Sequence, residues 1–240
     1  MKFRTINIFI LLFSVMGAQS SVFAQPAQIQ GANLGGVWMS RGLTAIFDPA
    51  DPRFEKPDTL PMQTWAAEKF KSAKPGYGPY ATAKSEDPTL KCYPPGMPQI
   101  LLIPFPMEII HASDRILIYF EFGNHLRQIY IDGRTHPKDP IPSYMGHSIG
   151  KWEGDTLVVD TVGLTDKSWL DRAAHPHTEA LHIVERIRRV DPETLIFDLT
   201  FDDPQAYTRP WKGVKRFTLV PDGEVMEYVC VDNFIKSPLK

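Results

Sequence analysis

The chain has little cysteine, no excess of basic charge and no internal repeat. Its two cysteines, Cys92 and Cys230, allow at most one disulfide. A Cys92–Cys230 bridge would tie the C-terminal strand to the Pro-rich segment 92–98, and two separate thiols are the alternative. The 26 basic side chains are outnumbered by 28 acidic ones, so a nucleic-acid partner, which needs a basic surface, is not expected. The lack of repeats argues against a propeller. After the N-terminus no apolar stretch of spanning length recurs, so no membrane insertion is expected of the rest.

The N-terminus itself reads as an export signal. Lys2 and Arg4 precede an apolar run from Ile6 to about Ala18, and Val22-Phe23-Ala24 puts small residues where a signal peptidase reads them. Cleavage is expected after Ala24, which leaves 24 basic against 28 acidic groups, a formal charge of −4. A periplasmic or secreted protein follows from this. The mature length suits one large domain or two small ones.

Residues 25–98 read as an irregular segment with one short helix, Pro61 to about Lys71, in which Trp65, Ala66, Lys69 and Phe70 recur at helical spacing. Gly35-Gly36-Val37-Trp38-Met39 reads as a short strand entered through glycines, and such a Gly-x-Trp start is found in lipocalin-like barrels. From 99 to 240 strand-like runs follow one another: Gln99–Ile103, Glu108–Ala112, Arg115–Phe122, Leu126–Asp132, His147–Trp152, Thr156–Thr161, Glu179–Val190, Thr194–Phe201, Val214–Val220 and Val225–Val231. Turn residues such as Glu153-Gly154-Asp155 and Pro221-Asp222-Gly223 separate them. Strands without alternating helices predict a mainly β fold, an antiparallel meander. Closure into a lipocalin-like barrel removes its free edges, and a β-sandwich is the alternative.

All seven histidines, His111, His125, His136, His147, His175, His177 and His182, fall between positions 111 and 182, among several carboxylates. That clustering suits metal binding or general acid/base chemistry. His175 and His177 flank a proline that favours extended chain, so both imidazoles could face one side, with Glu179 in the same register. These three are the candidate ligands of a divalent ion such as zinc, although the spacing is not that of a helical His-Glu-x-x-His site. For acid/base work the candidates are His147, His175, His177 and Glu121. Glu121 and Arg127 would pair inside a barrel, because a lone buried charge is too costly. Arg127, Tyr119 and Asp160 are the candidate substrate contacts. His147-Ser148 enters a hairpin that Asp160-Thr161 leaves, so both pairs lie at one end of it, while Gly-His-Ser-Ile-Gly departs from a nucleophile elbow.

Several segments together resemble a family of secreted bacterial proteins. They are Cys92-Tyr93-Pro94-Pro95-Gly96-Met97-Pro98, Tyr130 to Pro137, Gly146 to Thr161, Trp169-Leu170-Asp171, His175-Pro176-His177 and Asp202 to Trp211. The likeness extends from about Gly35 to the C-terminus, and it implies no reaction, cofactor or catalytic set. Two functions are expected from the residues alone. One is an exported small-molecule enzyme, a lyase, isomerase or hydrolase, acting on a partly apolar or aromatic substrate. The other is a carrier for an apolar ligand, with histidines merely lining its mouth.

Overall fold

The computed structural model describes residues 31–40, 42, 44, 46–49, 59–76 and 81–230. The expected export signal and its cleavage site lie outside them. Alternation of apolar and polar residues generates the strands: β1 (Gly36–Ser40), β2 (Asp48–Pro49), β3 (Met107–His111), β4 (Arg115–Phe120) and β5 (His125–Tyr130). There follow β6 (His147–Glu153), β7 (Thr156–Val162), β8 (His182–Asp191), β9 (Thr194–Asp202) and β10 (Trp211–Leu219). Among the described residues these form one sheet, ordered β1-β3-β4-β5-β6-β7-β8-β9-β10-β2, and β1 also pairs with β10. The sheet therefore closes into a nine-stave barrel. In that ring β1 and β2 lie in line along β10, at Phe217–Leu219 and Gly213–Val214 respectively.

All neighbouring staves are antiparallel except β5 and β6, which run parallel at Ile129↔Ser148 and Tyr130↔Ile149. The expected meander has this one departure, and the odd stave number requires it, because directions cannot alternate all the way round such a ring. A parallel neighbour needs a long crossover, and residues 131–146 supply it.

Inward positions fill the barrel. Trp38, Met107, Ile109, Ile116, Ile118, Ile129, Leu157, Val159, Ile183, Ile187, Phe197, Leu199, Phe201 and Phe217 form one continuous core, each at most 2 % exposed. With so many large side chains meeting across it, the lumen is a packed interior, as expected near this stave number.

The segment before residue 98 supplies two pieces of the barrel wall, β1 and β2, as well as the expected helix. That helix, α1 (Thr64–Ser72), buries Ala66 and Phe70, four residues apart, against the barrel, while Lys69 and Lys71 sit in its last turn, where its dipole favours cations. The run expected as a strand at Gln99–Ile103 instead forms a 3-10 turn at Gln99–Leu102. All four of its residues are buried, so no solvent face exists to impose a period of two. Of the last expected strand, Val225–Val231, the described residues 225–230 form no ladder. They are held by the Cys92–Cys230 disulfide, by a Met226 N–H bond to Glu121 and by two bonds between Asn124 and the Tyr228 backbone. No described helix is long and apolar enough to cross a membrane.

Candidate active site on the outer wall of β5 to β8

The strands β5 to β8 carry polar groups on both faces. Inside, Arg127 pairs with Glu185, one bond spanning 3.0 Å and a second joining Nη2 to Oε2. Its guanidinium also donates to Ser148 Oγ at 3.3 and 3.2 Å and to Thr161 Oγ1 at 2.9 Å, and these hydroxyls bond each other at 2.9 Å. All four residues are at most 1 % exposed. Arg127 thus points inward as expected, but its partner is Glu185. Glu121 leaves the strand alternation, because β4 ends at Phe120 and Glu121 adopts helical angles before Gly123 turns the chain at φ 71°.

On the outside of the same wall, the residues next in sequence to this quartet assemble a second group. His147 precedes Ser148 and Asp160 precedes Thr161, so each points the other way. The crossover brings His136 over them. His136 Nδ1 lies 2.8 Å from His147 Nδ1, and its Nε2 lies 3.1 Å from Asp160 Oδ1. His182 Nε2 reaches the same Asp160 oxygen at 2.8 Å. Tyr130 stacks beside His147 with ring centres 5.6 Å apart, and the Arg134 guanidinium covers Tyr130 at 3.7 Å.

The carboxylate orders the protons at the end of this line. Asp160 can only accept, so His136 and His182 present N–H at Nε2. The Nδ1–Nδ1 contact needs one donor and one acceptor, and in the tautomer assigned here His136 Nδ1 accepts the Nδ1–H of His147. His147 is left with a bare Nε2, for which no described residue is a partner. Burial, then the neighbouring His136 and Arg134, hold the His147 pKa below its ordinary 6.5, so the ring is a free base at neutral pH.

The other expected site residues lie elsewhere. His175 is fully buried: its Nδ1 sits 2.6 Å from Asp171, and its ring stacks on Phe70 at 4.3 Å. His177 is 2 % exposed, with Nδ1 bonded to the Thr178 carbonyl at 3.1 Å and Nε2 to Ser168 Oγ at 3.2 Å. A carbonyl accepts only, so Nδ1 carries the proton and Nε2 takes the serine hydroxyl. Glu179 is exposed to solvent. The expected His175, His177 and Glu179 ligand trio therefore does not assemble, since both His177 nitrogens are engaged internally and the carboxylate turns away. Among the described residues no group of three or more His, Cys, Asp or Glu side chains is arranged to hold a metal ion. Glu121 accepts from Met226 N, and Tyr119 bonds Asn124 on the outer wall at 2.9 Å.

Neither a family model nor a curated protein matches this chain. The functional reading thus falls to the outer-wall relay. Two of its members, His147 and Asp160, were candidates from the sequence. His136 and His182 stood out only as members of the histidine cluster, yet His182 precedes a strand position that alternation turns inward, which marks its own direction as outward.

Proposed function

We propose that this is an exported small-molecule enzyme of the acid/base kind, a lyase, isomerase or hydrolase, with His147 as general base. The observation that carries the reading is the hydrogen-bonded line Asp160–His136–His147, and the tautomer assigned to it, with Asp160 accepting, leaves Nε2 of His147 unprotonated. When that nitrogen takes a proton from substrate, the imidazolium keeps its Nδ1–H bond to His136, and Asp160 at the far end stabilises the added charge. His136 and Asp160 are positioning residues. The filled lumen supports chemistry over simple carriage, because an apolar cargo has no room among the core side chains. The Cys92–Cys230 disulfide fits an oxidising compartment, the periplasm or the exterior.

The test is turnover of a panel of activated esters and of carbon acids that can eliminate or isomerise, with wild type beside His147→Gln. A rate that rises with pH through a pKa below 6.5 and falls at least roughly a hundredfold in the folded variant is the expected result. Turnover that the variant retains, or no turnover by wild type anywhere in the panel, removes the reading.

A further inference from the structure

A groove of about 400 Å³ lies away from the relay, lined by Glu86, Pro88, Lys91, Tyr93, Tyr144 and Lys167. We propose that it binds a small planar ring bearing a carboxylate, a second ligand site independent of His147. Its volume falls within the range of small-molecule sites.

Charge decides the class of ligand. The one carboxylate in the lining, Glu86, is already engaged by Lys74 at 2.7 Å. Lys91 and Lys167 make no ion pair or hydrogen bond with any described residue, so among the described residues both cations of the groove are uncommitted. The phenol hydroxyls of Tyr93 and Tyr144 likewise have no described partner. Tyr93 is 55 % exposed. Two ammonium groups and two phenols can take up a carboxylate's oxygens, while the tyrosine faces and Pro88 accept a flat ring.

The walls are held before any ligand arrives. Asp87 caps the turn Pro88–Lys91 through Thr89, at 2.9 Å to its N–H and 2.7 Å to its hydroxyl. The disulfide fixes Cys92, between Lys91 and Tyr93. Across the groove, the Tyr144 carbonyl accepts from Met97 N at 2.8 Å, and Ser168, next to Lys167, bonds the buried His177. Such preorganisation lowers the ordering cost of binding.

The experiment titrates the mature, oxidised protein with 2-naphthoate, followed by calorimetry and by amide chemical shifts. Acetate serves as charge without ring and 2-naphthylmethanol as ring without charge. Saturable one-to-one binding is expected, with shifts centred on Tyr144 and Lys167 and much weaker binding of both controls. Lys91→Gln and Lys167→Gln should each weaken it about threefold to tenfold, and Tyr93→Leu should weaken it too, all with unchanged circular dichroism. No binding of naphthoate, affinity that survives both lysine changes, acetate binding as well as naphthoate, or shifts centred on His147 would each overturn the proposal.

Discussion

Arg127 and Glu185 sit in the barrel interior with almost no exposure, yet the arginine satisfies four acceptor atoms within the quartet. A buried pair contributes little net stability over an apolar pair of similar size, but removing one partner strands the other charge. Arg127→Met should therefore lower unfolding stability by about 3–5 kcal/mol. The double change Arg127→Met/Glu185→Leu should recover most of that, because Ser148 and Thr161 can still bond each other at 2.9 Å. Urea unfolding of the three proteins decides it, and a single variant as stable as the double would show that Glu185 is not left stranded. The quartet also bears on chemistry, since it fixes β6 against β7 at Ser148↔Thr161, directly behind His147 and Asp160.

At the scale of elements, α1 shows how packing rather than propensity sets a helix. Phe70 lies face to face with His175, at 4.3 Å between ring centres and 5° between planes. Through it the helix covers the buried turn in which Asp171 accepts both the imidazole N–H and the backbone N–H of His175. Truncation to Phe70→Ala should cost about 3 kcal/mol in chemical unfolding, and a loss under 1 kcal/mol would mean that the helix adds little cover there. This helix was legible in the sequence, because Ala66 and Phe70 repeat at four-residue spacing. So was the wall of the barrel, since strands such as Leu195, Phe197, Leu199 and Phe201 alternate cleanly. The 99–102 turn was not, because a run buried on every side has no period to read. The partner of Arg127 was hidden for a different reason. On paper Glu121 falls in phase with Leu117 and Tyr119, opposite the buried Ile116, Ile118 and Phe120, so alternation itself directs it away from the lumen, while Glu185 lies 58 residues from Arg127 and meets it across β6 and β7. His136 was equally illegible: it belongs to the irregular crossover, whose path is dictated by one parallel contact in an odd ring.

For the molecule as a whole, histidines concentrate pH sensitivity in one range. His111, His125, His147 and His177 all have native pKa values pushed below the ordinary 6.5, chiefly by burial. Unfolded, each takes up a proton as pH falls past about 6.5, whereas the native protein refuses it until lower pH. The unfolded state then binds more protons, so stability must fall as pH is lowered through this window. Exposed carboxylates with lowered pKa, including Asp132 at about 2, act in the same direction, but only where an ordinary carboxylate near 3.8 begins to protonate. The two ranges are separable. The urea midpoint is expected to hold steady from pH 8 to 7 and to drop between 6.5 and 5, before the carboxylates contribute. His177→Gln should flatten that drop, since His177 is the most deeply buried of the four, and a fully buried base is the costliest to charge. A midpoint that stayed constant from pH 7 to 5 would mean that these rings protonate as readily in the folded barrel as in the open chain, and the neutral Nε2 assigned to His147 would lose its electrostatic support.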